Sequence, residues 1–393
     1  MRQVKDQVYY LGIRDWEIRE FHGHELSVFH GTTYNSYVIK DEKTVLVDTA
    51  WGPFAEDFLN MLDKEVGIDS IDYIVINHAE PDHSGSLPRI MERKPDIPII
   101  CSPKGEEIIK RHYHKDWNFI TVKTGDALNI GKIDLVFVEM AMIHWPDSMM
   151  TFAKGPNVLL SNDAFGQHYC GASIFEDEVD GCEVWKQALK YYACILTPFS
   201  PLIKKKIEEV VKMNLPIEAI APSHGVIWRK DPFRIVEKYA QWADNYDEGT
   251  VTILYDTMYN ATRKMADAIA AGLGSMGVLC KLYNSAASDM SEIMTDIFRS
   301  KGIIVGSCTV NNGPLRSIAA LLSEMKGLRF KNKVGAAFGS YGWSGEAPKI
   351  IHEGLEKAGI NVVMDPVSSQ YQPEAEALDA CFRFGQKFAA YIK

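Results

Sequence analysis

No run of 18 apolar residues occurs in this 393-residue chain, so nothing in it predicts a helix that spans a membrane. Its opening stretch, MRQVKDQVYYLGIRDW, lacks the apolar core and small-residue cleavage site of a secretory leader, which makes the cytoplasm the expected location. Positive charge is in the minority. With 42 Lys and Arg against 52 Asp and Glu, the formal net charge is −10, and this argues against a nucleic-acid surface. The seven cysteines (Cys101, Cys170, Cys182, Cys194, Cys280, Cys308 and Cys381) form no CxxC pair. A disulfide set, a four-cysteine iron site and a ferredoxin-like cluster therefore have little support, and mostly buried thiols are expected. Neither GxGxxG nor GxxxxGK(S/T) stands between a predicted strand and helix, which excludes the usual dinucleotide and ATP phosphate loops.

What is present falls into two patterns. Residues 1–249 contain short apolar runs: TVLVDT at 44–49, IDYIVINH at 71–78, KIDLVFVEM at 132–140, NVLLSND at 157–163 and IEAIAPSH at 217–224. Four of these five deliver a His or Asp at the strand exit, as a β-sandwich does when it gathers distant residues on one rim. Helical stretches such as EDFLNMLDKEVG and PLIKKKIEEVVKMN separate some of them, and the pattern predicts an αββα arrangement. Asn245–Gly249 reads as a linker. Residues 250–393 then alternate strand and helix, with strands at 250–256, 276–284, 302–307, 333–340 and 360–365. Helices fit Arg263–Leu273, Met290–Arg299, Pro314–Met325, Glu346–Ala358 and Pro373–Ala390. Five such strands predict an open, doubly wound parallel sheet, so the whole chain is of the α/β class.

The segment His78-Ala79-Glu80-Pro81-Asp82-His83 packs four potential metal ligands into six residues after an apolar strand. His78 and Glu80, two apart in extended chain, point the same way; Asp82 and His83 serve a second position. Pro81 disfavours helix at its predecessor. Six residues cannot complete two coordination shells, so His144 in MIHWPDS, Asp163 in SNDAFGQH and His224 in PSHG are the candidates to finish them. A cluster of this kind in a lone turn is ordinarily a solvated loop. Three further ligands at strand ends argue against that here. Glu80 stands where a zinc hydrolase of this kind would carry another histidine. Four imidazoles and three carboxylates suit two iron ions, with Asp163 as the natural bridge. Glu80, Asp82, Asp163 and a bridging hydroxide would balance two divalent ions, which lowers the cost of burying them. His112 and His114 in RHYH lie on a predicted helix with no strand exit and read as surface residues. His168 and His22 stay open: each could be a surface histidine, a support for a ligand or a pocket residue.

A second constellation opens the later half. Thr257, Met258, Tyr259, Asn260 and Thr262 lie between a strand and a helix, where hydroxyls and backbone amides can nest a monophosphate. Two more strand-end loops follow, Ser307-Cys308-Thr309-Val310-Asn311-Asn312-Gly313 and Ser340-Tyr341-Gly342-Trp343-Ser344-Gly345. Their small residues permit close approach to a ring edge, and Tyr341 and Trp343 could cover its faces.

Taken together the chain resembles the flavodiiron proteins, or A-type flavoproteins, over essentially its whole length. The pattern H-x-E-x-D-H followed by separated His, Asp and His is met in full. The resemblance implies an N-terminal metallo-β-lactamase-like αββα domain over residues 1–249 with two non-haem irons, and a C-terminal flavodoxin-like domain over residues 250–393 with FMN. It implies that His78, Glu80 and His144 hold one iron, that Asp82, His83 and His224 hold the other, and that Asp163 bridges them. It places a histidine and a tyrosine at the open face, here His22 and Tyr192, with Tyr191 as the alternative, to bond the gas or supply protons. Cys308 departs from the proline often found there. The implied activity is reduction of O2 to water, of NO to N2O, or both, with FMN refilling the metals. Also implied are a head-to-tail homodimer that can pair again and an external donor, rubredoxin or, as in methanogen-type members, reduced coenzyme F420. The same residues leave open a metallo-β-lactamase-like hydrolase fused to an electron-transfer domain, and a flavodoxin-type carrier with a structural metal.

Overall fold

Strand Thr32–Lys40 is buried along all but its last residue, the signature of a strand covered on both faces. It sits inside a sheet ordered Arg2–Lys5, Val8–Asp15, Thr32–Lys40, Thr44–Val47, Ile71–Val75, Ile99–Cys101 and Phe119–Thr121. A second sheet runs Ala127–Asn129, Asp134–Glu139, Met149–Lys154, Val158–Asn162 and Ala219–Pro222. The sheets share one core, in which Val47, Val75 and Ile100 of the first meet Leu135, Phe137, Leu160 and Ala221 of the second. Helix Ala55–Glu65 buries Ala55, Phe58, Leu59 and Leu62, a single apolar stripe at helical spacing, and packs on the first sheet. Helices Ser200–Lys212 and Pro232–Ala243 cover Met150 and Leu159 on the outer face of the second. The expected αββα order is thus observed.

This computed structural model describes residues 1–392. Contacts divide them into two units. The first comprises Met1–Phe21, Val28–Tyr191 and Phe199–Ala240. The second begins at Gln241 and also takes in His22–Ser27 and Tyr192–Pro198. A single cut between residues 249 and 250 does not contain those two excursions; composition gives no sign of them.

The second unit is a parallel sheet ordered Cys280–Asn284, Thr250–Asp256, Ser300–Cys308, Val334–Tyr341 and Asn361–Val362. The first of these strands in sequence, Thr250–Asp256, lies inside and the order doubles back across it, the flavodoxin-type winding. Two expected strands differ. Residues 276–284 are extended only from Cys280, because Met276 still caps the preceding helix and Gly277 turns the chain at φ 75. The run at 360–365 pairs only at Asn361–Val362, and pairing resumes at Val367–Gln370. Between them stands Pro366, which has no N–H to give a ladder. None of the seven cysteines is in a disulfide; Cys101, Cys170 and Cys381 are buried and the other four are not, so burial is less general than expected. Among the described residues no helix is long and apolar enough to cross a membrane.

Lys333 is the costly element of this unit. Its ammonium is buried and donates to the carbonyls of Tyr246 at 2.7 Å and Phe298 at 2.6 Å. Burial drags its pKa down from 10.5 to about 7. Above that value the unfolded chain holds a proton that the folded chain has lost, so stability rises with pH until the unfolded lysine titrates too. Below it the penalty is constant. The slope contributed approaches ~1.4 kcal/mol per pH unit. Lys333→Met should therefore flatten the rise of urea resistance between pH 7 and 9.5. Identical pH slopes in the two proteins would contradict this account.

Candidate metal centre and flavin cleft

The strand exits bring the metal-ligating candidates together as two neighbouring groups. His78, Glu80, His144 and Asp163 form one; Asp82, His83 and His224 form the other. Asp163 spans both. Its Oδ2 lies 3.2 Å from His144 Nε2 and 3.7 Å from His78 Nε2, while its Oδ1 lies 3.0 Å from His83 Nε2 and 3.6 Å from His224 Nε2. His224 Nε2 is also 3.0 Å from Asp82 Oδ2, and His78 Nε2 is 3.1 Å from Glu80 Oε2. Ligand bonds of about 2.1 Å set neighbouring ligand atoms roughly 3 Å apart, so these spacings are those of donors converging on ions. Two buried atoms, His83 Nε2 and Asp82 Oδ1, make no hydrogen bond within the chain, as expected of donors meant for a metal. All four histidines present Nε2 inward. The donors fit two metal ions.

The backbone explains how Asp163 is aimed. Asn162 and Phe165, at φ 51 and 69, put two left-handed residues around it. Asn162 Nδ2 donates to Asp48 Oδ2 at 3.2 Å, Phe165 N–H donates to the Tyr239 hydroxyl at 2.9 Å, and Ser223 Oγ donates to Asp163 Oδ1 at 3.0 Å. Burial alone would raise the Asp163 pKa, but His83, His144 and His78 around it hold the carboxyl well below its ordinary range. It stays ionised.

Several supports escape a reading for ligands. Asp147 Oδ2 accepts from the Ala79 N–H at 2.7 Å and lies 3.0 Å from His78 Nδ1. Asp48 accepts from the Asn77 N–H and side chain, and Asn77 in turn accepts from Thr151. His224 Nδ1 donates to the Thr33 carbonyl at 2.6 Å. Such partners fix which ring nitrogen faces the metal. Gly225 turns at φ 76, and a Cβ there would collide with Gln167, so only glycine lets the chain pass His224 in this way.

The candidates for the open face separate. Tyr191 sets its ring 5.3 Å from His168, whose ring is 4.9 Å from that of His224. Tyr192 instead packs on Trp242 at 5.4 Å and Phe298 at 5.6 Å, within the second unit. Of the two, Tyr191 is the one that packs toward the ligand groups, through His168. Adjacent residues at a helix end point to different faces, and YY gives no clue which is which. Burial first, then the charge of Asp163, holds the Tyr191 hydroxyl protonated well above its ordinary pKa. His168 Nδ1 lies 2.7 Å from Thr32 Oγ1. His22 is exposed in the turn between Glu20–Phe21 and Leu26–Ser27, in a segment that clusters with the second unit, and belongs to neither ligand group. His112 and His114 are exposed.

In the second unit a cavity of ≈ 780 Å³ opens at the carboxyl ends of the parallel strands. Thr257, Met258 and Tyr259 line it from the first loop, Cys308 through Asn312 from the second, and Ser340 through Ser344 from the third. The expected Asn260, Thr262, Ser307, Gly313 and Gly345 are not on its wall. Asn260 takes φ 63 to start helix Ala261–Ser275, and Thr262 is buried with its hydroxyl 2.9 Å from that of Ser340. Ser307 Oγ accepts from the Leu315 N–H, and Gly313 closes a tight turn on Val310 over left-handed Asn311 and Asn312. Tyr371 and Gln372, beyond the short strand Val367–Gln370, join the wall unforeseen. Thr257 carries a buried hydroxyl with no partner in the chain, beside a helix N-terminus. That unmet donor suits a phosphate, and the cavity fits FMN.

A family model described as ODP family beta lactamase matches residues 32–225, and one described as Flavodoxin matches residues 253–385. The anaerobic nitric oxide reductase flavorubredoxin of Vibrio vulnificus is 50% identical over 390 residues, covering 98% of this chain and 79% of that protein. Among solved structures, rubredoxin oxygen:oxidoreductase from Desulfovibrio gigas superposes with a TM-score of 0.97 at 36% identity, covering 100% of this chain and 98% of that one. The flavodiiron protein from Giardia intestinalis gives 0.94 at 33%, covering 98% and 95%. The chain belongs to the flavodiiron proteins. As a flavodiiron protein it is an oxidoreductase with a diiron site in a lactamase-like unit and FMN in a flavodoxin-like one.

Asp147→Ala should leave His78 free to rotate and lower metal affinity about 10–100-fold, with FMN content unchanged. Chelator competition followed by metal analysis reads this; unaltered metal retention would remove Asp147 from the site. Thr257→Val should weaken FMN binding roughly 10-fold, the loss of one hydrogen bond to a charged group, and leave metal content alone. Fluorescence titration of the apoprotein with FMN measures it.

Proposed function

We propose that this flavodiiron protein reduces NO to N2O, with reduction of O2 to water as a second activity of the same centre. The observation that carries the reading is the Asp163 carboxylate, whose two oxygens face two separate ligand groups. His78, Glu80 and His144 would hold one iron, Asp82, His83 and His224 the other, and Asp163 would bridge. Bound there, the irons supply binding and polarisation of the gas, and FMN supplies the electrons. Two NO, two electrons and two protons give N2O and water; O2 takes four of each to give two waters. The chain's own residues set the conditions. Asp147 and the Thr33 carbonyl keep Nε2 of His78 and His224 turned inward. His168 stands beside His224 and Tyr191 beside His168, as hydrogen-bonding groups for the gas and for proton entry. His22 is supported in that role by the family resemblance alone.

NO is put first because relatives at 50% identity are named nitric oxide reductases. The word flavorubredoxin in those names supports a rubredoxin-type electron donor; reduced coenzyme F420 rests only on resemblance. So do the head-to-tail homodimer, which would bring FMN of one subunit to the irons of another, and a further pairing of dimers; a cytoplasmic location rests on the opening stretch of the sequence.

The test is anaerobic reduction of the holoenzyme, then separate additions of NO and O2 with gas analysis and flavin spectra. The flavin should reoxidise with N2O appearing in the NO arm. Asp163→Ala should keep FMN and lose magnetic coupling between the irons. Reduced holoenzyme that consumes neither gas would end this reading.

A further inference from the structure

Outside the metal centre the first unit contains a cavity of ≈ 190 Å³ beneath helices Ser200–Lys212 and Pro232–Ala243. Its inner wall is Ile143, Leu159, Ala164 and Phe165, all buried. Two of these adjoin metal-ligating residues in the chain: Ile143 precedes His144, and Ala164 follows Asp163. At the outer end Val211 and Phe233 are 62% and 46% exposed. The cavity thus grades from solvent to within one residue of both.

Its chemistry selects its contents. A bound water needs two to four polar partners, and an engineered cavity of about 150 Å³ lined by Leu, Ile and Phe stays dry and takes up xenon. Here the wall offers few such groups, and two are engaged. The Tyr239 hydroxyl accepts from the Phe165 N–H at 2.9 Å, and Lys206 Nζ pairs with Glu209 at 2.7 Å. Only Asn214, at the helix end, adds another polar side chain. NO and O2 are small, uncharged and apolar enough to prefer such a wall to water.

We propose that this cavity is an antechamber that takes NO or O2 from solvent and holds it beside the diiron centre. The proposal rests on the gas-reductase reading above. It adds a second binding site for the same substrate, built from hydrocarbon side chains that touch no metal. Its effect falls on capture of the gas at low concentration and not on turnover at saturation.

The test uses the holoenzyme and xenon. Crystals pressurised with xenon should show a peak between the two helices beside Phe165. Val210→Phe and Ile207→Trp, two independent fillings of the cavity from one helix, should abolish that peak. Each should also lower kcat/KM for NO several-fold with kcat at saturating gas unchanged. Leu202→Phe, on the exposed side of the same helix, should change neither. Absence of xenon in the parent protein would overturn the proposal. So would a filled variant, shown folded by its iron and FMN content, that keeps the parent kcat/KM. Xenon occupancy is scored without turnover, so a holoenzyme inert to both gases would overturn the function while the xenon map still decided the cavity.

Discussion

Asp163 is an ionised carboxylate at 3% exposure, held in that state by imidazoles on either side. Burial opposes its charge, and nothing apolar can compensate. Nearly every local feature of the first unit serves that constraint. The sandwich core joins both sheets and fixes where their strands end. The strand ends then carry the ligands, so a ligand moves only if the core moves. Left-handed residues flank Asp163, glycine follows His224, and each of these unusual conformations is tied down by a hydrogen bond to a side chain of a neighbouring element: Asp48, Tyr239 and Thr33.

The same logic explains what could be read in the sequence. A strand exit is a one-dimensional feature: an apolar run, then a His or Asp. His78, Asp163 and His224 were legible on that ground, and His144 by its place in the same rim. The supports are different. Asp147 meets His78 across 69 residues of chain, and only a fold brings them together. The choice between Tyr191 and Tyr192 turned on the angle at which a helix ends, which no pattern of residue types encodes. His22 clusters by contacts with the other unit, something a domain boundary drawn from composition does not anticipate.

In the flavin cleft the expected residues that lie off the cavity wall do so for one reason. Each loop was taken as if all its residues faced the ligand, whereas a loop must also satisfy itself. Ser307 and Thr262 spend their hydroxyls on the Leu315 amide and on Ser340, Gly313 closes a turn, and Asn260 starts a helix. Thr257 is the exception, its hydroxyl buried and unmet. Conversely Tyr371 reaches the cleft because Pro366 interrupts one edge strand and a new one re-forms beside Val334–Tyr341. A proline that reads as an ending turned out to shift the pairing along.

Charge counting gives the deepest link between the sequence and the chemistry. Glu80, Asp82 and Asp163 place three negative charges around the proposed irons. Asp147 lies behind them as a support: burial would raise its pKa, yet its hydrogen bond with His78 Nδ1 keeps it lowered. With a bridging hydroxide, two divalent ions would bring these three ligand carboxylates close to neutrality. With Glu80 replaced by histidine, one negative charge would go and the same site would favour an added hydroxide, the nucleophile a hydrolase needs. A single side chain, five residues past the end of strand Ile71–Val75, thus shifts the charge of a lactamase-like rim away from what a hydrolase needs.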